Sequence, residues 1–237
     1  VVTFVNTYYQ QSVPATASFW VNSYASTAGC TAMDLAGWGQ PLPFTASRGD
    51  DLNDCVTVTS AAAGRYLLRA TQSNWQWSLH AEVREANGGA VGTLTGSSQT
   101  MVLDVKANHT YKIVLTGDTQ SRPPEFSLGL FRLADVAGCD VLASTGWDSS
   151  AAVVSFADDP AAVHCRQVQA TSGDTVRVSR SPSNNLQQTV FNKAGVEVCS
   201  AGPWTNAVFD CQLTGTGPWQ VVTFVNTYYQ QSVPATA

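Results

Sequence analysis

Charge is scarce in this 237-residue sequence, with charged side chains at 12%. Lys and Arg together number 12 and the net charge is −5, so no concentrated basic face exists to hold a nucleic acid. Long apolar runs are missing as well. None approaches the roughly 18 residues of a membrane-spanning helix. No charged n-region leading into an apolar stretch opens the sequence, so any export signal is expected outside it. Amphipathic helical periodicity is also lacking. What crowds the chain instead is Ala, Val, Thr, Ser and Gly, which make poor helices and good strands and turns.

Familiar catalytic signatures are absent too. There is no G-x-S-x-G elbow and no H-E-x-x-H. Of the three histidines, His80 falls in a predicted strand, His109 in an Asn-His-Thr turn and His164 directly before Cys165. An enzyme is not expected.

Six cysteines are present, and none forms a CxxC or stands near a histidine at a zinc-site spacing. Cys30 and Cys55 flank one stretch, Cys139 and Cys165 flank a matching one, and Cys199 and Cys211 lie close together. Their register predicts three disulfides with those partners. Each would stabilise the fold by about 2–4 kcal/mol, mainly by restricting the unfolded chain, and would imply an oxidising, extracellular setting.

The segment VVTFVNTYYQQSVPATA occurs twice, at residues 1–17 and 221–237. Chance cannot produce that identity, so the sequence repeats with a period of about 220 residues. A weaker repeat halves that period. Residues 18–30 read SFWVNSYASTAGC and residues 127–139 read SLGLFRLADVAGC. Each continues to a Gly-Trp pair (Gly37-Trp38, Gly146-Trp147), an acidic turn, a cysteine and a glycine turn at Gly64 or Gly173. Trp38 and Trp147, in register, are expected to be core or strand-turn anchors. A unit of about 110 residues has the length of one β-sandwich domain.

Within the units the pattern is that of short strands. CVTVT from Cys55, RYLLRA from Arg65, WSLHAEV from Trp77 and YKIVL from Tyr111 alternate with period two. Asn87-Gly88-Gly89 and Lys193-Ala194-Gly195 supply turn chemistry. The order of these features is an acidic turn at Asp50-Asp51, a V-x-V strand, a Gly turn, then VREANG from Val83, YKIV from Tyr111 and FSLGL from Phe126. This order resembles the bacterial pre-peptidase C-terminal domains, jelly-roll-like β-sandwiches appended to secreted enzymes and surface proteins. The resemblance spans both units, although the cysteines depart from that family's usual pattern. It implies an all-β chain of two tandem jelly-roll or Ig-like sandwiches, here stapled by disulfides.

Three segments are expected: residues 1–28, the terminal strands of a preceding repeat; residues 29–136, the first sandwich; and residues 137–237, the second. The counterpart of the strand at 126–133 is not at the C-terminal end but at residues 18–24. The second sandwich is therefore expected to lack its last strand, leaving unpaired backbone. Strand addition from a neighbouring copy would complete it, with Phe19, Trp20, Val21, Val222 and Phe224 as inter-subunit strand residues. Repeated head to tail, such a contact builds an open filament. A single long covalent polymer explains the duplicated ends equally well.

Other features point to chemistry more weakly. Asp50, Asp51 and Asp54 cluster in one turn and Asp158 and Asp159 in its counterpart, a grouping that could hold calcium, though solvated turn aspartates are commoner. Arg48-Gly49-Asp50 is an integrin-type triplet that chance also yields, and Asn108 opens the glycosylation-type sequon. Trp75 and Trp77 sit two apart and share a strand face. Exposed, they would stack on sugar rings; packing a thin core is the commoner role for such a pair. The expected function is a non-catalytic extracellular structural protein whose units form a filament, stalk or surface fibre, with copies of itself as partners. The alternative is a carbohydrate-binding or adhesive module of a secreted bacterial protein, with a glycan as partner.

Overall fold

The computed structural model describes residues 21–47, 53–72, 79–96, 100–116, 125–142, 145–147, 152–156, 161–180, 185–202, 205 and 207–226. Among them are sixteen strands and no helix. The first nine are β1 (Thr31–Ala32), β2 (Phe44–Ser47), β3 (Asn53–Ser60), β4 (Gly64–Gln72), β5 (Leu79–Glu85), β6 (Ala90–Gly96), β7 (Thr100–Val105), β8 (His109–Thr116) and β9 (Glu125–Arg132). They form a five-stranded sheet in the order β1-β3-β8-β5-β6 and a four-stranded sheet in the order β2-β9-β4-β7.

Period-two alternation puts one face of each sheet inward. Val56, Val58, Ala81, Val83, Tyr111 and Ile113 from the first sheet meet Tyr66, Leu68, Leu103, Phe126, Leu128 and Leu130 from the second. Each large apolar side chain buried there contributes roughly 1.5–3 kcal/mol. The hairpin between β5 and β6 is closed by Asn87, whose Oδ1 accepts the Gly89 amide at 3.0 Å.

The remaining strands are β10 (Asp140–Val141), β11 (Val163–Val168), β12 (Thr175–Ser179), β13 (Leu186–Phe191), β14 (Glu197–Ala201), β15 (Val208–Gln212) and β16 (Trp219–Val225). Their five-stranded sheet, β10-β11-β16-β13-β14, repeats the first one strand for strand, including the parallel pairing at its edge. Val168, Val190, Trp219 and Val221 pack from it onto Val176, Val178, Phe209 and Cys211 of a sheet that holds only β12 and β15. That pair corresponds to β4 and β7. Counterparts of β9 and of β2, which pairs with β9 alone, do not occur among the described residues.

Three disulfides staple the sandwiches: Cys30–Cys55, Cys139–Cys165 and Cys199–Cys211. The first two each fix the segment leading into a unit to its first long strand. The third ties β14 to β15, so it links the two sheets of the second sandwich.

Candidate assembly site

The two sandwiches meet through sheet faces that a lone domain would expose. Leu67, Phe131 and Leu133 from the outer side of β4 and β9 pack with Val163, Cys165, Phe191, Val222 and Phe224 from the second five-stranded sheet. Trp38 and Leu42, from the loop between β1 and β2, fill the same layer. The sequence places Val222 and Phe224 in an inter-subunit strand, and the structure corrects this. Both belong to β16, which is flanked on its two edges by β11 and β13 of the same chain. They are 0% and 2% exposed because they face the first sandwich.

One charged group crosses this apolar layer. Arg69 of β4 is fully buried. Its Nε donates to the Ala161 carbonyl at 2.9 Å and its Nη2 to the Val225 carbonyl at 2.7 Å. A buried cation is tolerable only when such acceptors replace its water.

The connector between the sandwiches is a compact double turn over residues 133–139. Asp135 N donates to the Arg132 carbonyl at 3.1 Å and Cys139 N to the Val136 carbonyl at 3.0 Å, while Asp135 Oδ1 accepts the Ala137 amide at 3.0 Å. The Asp135 carbonyl is the focus of the junction. It accepts the indole N–H of Trp38 and the side-chain amide of Gln220, each at 2.9 Å. Trp38 also stacks on Phe131 with ring centroids 5.0 Å apart.

An identical double turn precedes the first sandwich. Ser26 N donates to the Ser23 carbonyl and Cys30 N to the Thr27 carbonyl, both at 3.1 Å, and Ser26 Oγ accepts the Ala28 amide at 3.2 Å. This turn lies on the outer face of the first five-stranded sheet. Lys112, 1% exposed and in the place of Gln220, donates to the carbonyls of Tyr24 and of Ser26, the latter at 2.8 Å. The Tyr24 ring lies 3.7 Å from the Arg84 guanidinium, which in turn binds Glu82 at 2.6 Å. Hydrogen bonding from Arg84 holds the Glu82 carboxyl below its usual range. Burial, aided by the Arg84 charge, pushes the Lys112 ammonium down. This face is therefore polar where its counterpart in the second sandwich is apolar.

In the second sandwich the edge of β12 differs from that of β4 among the described residues. β4 is hydrogen-bonded to β7 on one side and β9 on the other, whereas β12 is paired with β15 alone. Its outward residues Thr175, Arg177 and Ser179 are exposed. Arg177 is held across the sheet by Asp210, at 2.7 and 2.9 Å.

Trp147 departs from expectation. Trp38 is 3% exposed, but its partner in register stands 91% exposed. The reason is that the Trp38 seat is built at the junction with a following sandwich, not inside its own. Val21 is 72% exposed and residues 21–23 form no strand. Phe19, Trp20, Trp75, Trp77, Asp50, Asp51, Asp158 and Asp159 lie outside the described residues, as does the Arg48-Gly49-Asp50 triplet. Among the described residues no group of three or more His, Cys, Asp or Glu is placed to hold a metal ion. The histidines stand in separate settings: His80 is 3.9 Å from Glu82, His109 3.8 Å from Glu85, and His164 Nε2 2.9 Å from the Ser155 carbonyl. Arg69, Lys112 and the shared carbonyls were not among the expected site residues. The aligned AGC endings at 28–30 and 137–139 held a signal for the double turn, but nothing in sequence marked the two cations as buried.

No protein-family model matches the chain, and no curated protein sequence matches it. Distant structural likenesses exist. The pre-peptidase C-terminal domain of a collagenase from Bacillus anthracis aligns at 11% identity and a TM-score of 0.34, over 43% of this chain and 93% of that one. The CBM22-1-CBM22-2 tandem domain of Paenibacillus barcinonensis Xyn10C aligns at 10% identity and a TM-score of 0.20, over 84% and 92%. Dimeric latent PorU from Porphyromonas gingivalis aligns at 8% identity and a TM-score of 0.23, over 91% of this chain and 22% of that one. Likenesses this remote assign no function.

Proposed function

We propose that the protein is a non-catalytic extracellular structural protein whose tandem β-sandwiches join end to end into a filament, stalk or surface fibre. One observation carries this: among the described residues β12 pairs with β15 alone, where its counterpart β4 has partners on both edges. A row of unpaired amides and carbonyls is a ready template for another strand. The segment that corresponds to β9 by sequence lies at residues 18–24, and it follows a copy of the residues that form β16. The slot between β11 and β13 is already filled by residues 221–225 of the same chain. What a neighbouring copy supplies is then the β9-like strand, either in trans or as the next stretch of a continuous array.

The three disulfides support an extracellular location, since such bonds persist in oxidising compartments. The reading is tested by electron microscopy of the purified full chain over a range of concentrations. Beaded fibres are the expected result. A monodisperse monomer at every concentration overturns it.

A further inference from the structure

We infer that Trp147 is the residue by which one copy of the chain seats on the next, and that its receiving site is the double turn at residues 24–30. The inference rests on the end-to-end assembly proposed above and specifies its contact. The junction inside the chain shows what such a seat looks like. Gly138 has φ +83°, and a Cβ built on it would lie 3.1 Å from the Trp38 carbonyl oxygen and 3.4 Å from the Trp38 Cβ. Trp38 therefore lies directly on the bare α-carbon of Gly138, with its indole N–H on the Asp135 carbonyl at 2.9 Å. Only glycine combines that backbone conformation with so close an approach.

The turn positions of the seat recur 109 residues earlier: 138 − 29, 135 − 26 and 139 − 30 all equal 109. Gly29 has the same φ of +83°, yet nothing lies within 4 Å of the position its Cβ would take. The Ser26 carbonyl stands where Asp135 does, held by Lys112 as Asp135 is held by Gln220. A carbonyl oxygen has two lone pairs, and the Asp135 oxygen uses both, one for Trp38 and one for Gln220. At Ser26 the side-chain donor among the described residues is Lys112, which leaves the second lone pair for an indole.

The inserting residue recurs at the same interval, since 147 − 38 is also 109. Trp147 stands 91% exposed, so its indole is accessible to a seat on another copy. The seat belongs to the first sandwich and the indole to the second, so the contact between copies is heterologous and can repeat head to tail. One element is not reproduced: Phe131, on which Trp38 stacks, corresponds to Asn22. The seat at residues 24–30 thus depends on the N–H donor and the glycine face more than on ring stacking.

The test uses the full chain, its Trp147→Ala and Trp147→Phe variants, light scattering across a concentration series, and hydroxyl-radical footprinting read by mass spectrometry. Trp147→Ala is expected to raise the assembly threshold by roughly tenfold or more, the scale of a tryptophan hot spot. Trp147→Phe, which lacks the donor, should fall close to it. Both variants should melt like the parent chain, because the residue they alter is exposed there. Oxidation of Trp147 should drop in the assembled fraction, while Trp38 stays protected throughout. Assemblies that form at an unchanged threshold, or with Trp147 as reactive as in the free chain, overturn the contact and leave the filament reading standing. A parent chain that never assembles overturns the filament reading, and the contact with it.

Discussion

The Arg69 guanidinium lies over the Phe224 ring, 4.5 Å from its centroid, and so ties β4 of one sandwich to β16 of the other. Its Nε and Nη2 donate to the Ala161 and Val225 carbonyls of the second sandwich. The junction thus carries both a cation–π contact and directional bonds, which fix the angle between units in a way that apolar packing alone does not.

Replacing Arg69 by Met keeps an unbranched, flexible apolar stem and removes those donors. The stranded carbonyls of Ala161 and Val225 should cost about 2–4 kcal/mol at the junction. Differential scanning calorimetry is expected to resolve two transitions in place of one, as each sandwich comes to melt alone. A single transition at the parent temperature would refute this account of Arg69.

Lys112 offers a finer comparison, because the repeat shows what a neutral residue does at its position. Lys112→Gln places there the side chain that Gln220 uses to reach Asp135, so the turn at residues 24–30 should keep its order. Lys112→Met leaves the Ser26 carbonyl without that donor and should loosen the turn by about 1–3 kcal/mol. Hydrogen exchange at the Ser26, Ala28 and Cys30 amides checks the pair of variants: protection retained in the first, reduced in the second.

The Glu82–Arg84 pair sets an acid dependence. The Glu82 carboxyl is lowered from 4.5 in the folded chain, chiefly by the hydrogen bond from Arg84. The folded state thus binds its proton less readily than the unfolded state. The stability it contributes is fully present above 4.5 and is lost as the pH falls through the lower, folded value. Urea midpoints measured across that window should decline less steeply in Glu82→Gln than in the parent. Equal slopes would mean that the pair is too well hydrated to matter.

Deleting residues 1–20 removes Phe19 and Trp20 and spares the turn that Lys112 holds. Among the described residues both cores draw on positions from Met33 onward, and the truncated chain is expected to keep its melting temperature. Sedimentation velocity is expected to show it as a monomer where the full chain associates. Unchanged association would mean that the β12 edge is not filled in trans by this segment.

Much of this architecture was legible in the residues. The alternation at Val56/Val58 and Tyr111/Ile113 marked strands because each sheet has one inward face, and period two reports that directly. The cysteine partners followed from the register of the units. Burial on the second face was not legible. Arg69 sits in an R-Y-L-L-R run that reads as an ordinary edge, and only the second sandwich makes its outward side an interior. For the same reason β16, buried at all seven positions, shows no simple alternation of environment. Trp147 differs from Trp38 because repetition of sequence does not carry repetition of environment: a residue at the end of one unit takes its surroundings from the unit that follows.

Each double turn runs straight into a cysteine, Gly29-Cys30 and Gly138-Cys139, and each cysteine is bonded to the strand behind the receiving carbonyl. The receptive surface is therefore tethered by a bond that depends on the redox state of its surroundings, although nothing in the contact itself is redox-active. While the thiols are reduced, the turn is held to its sheet mainly by side-chain donors, and a chain in that form is expected to couple weakly to its neighbours. If copies join as proposed above, oxidation anchors the carbonyl, and assembly is expected to strengthen once the Cys30–Cys55 bond has formed.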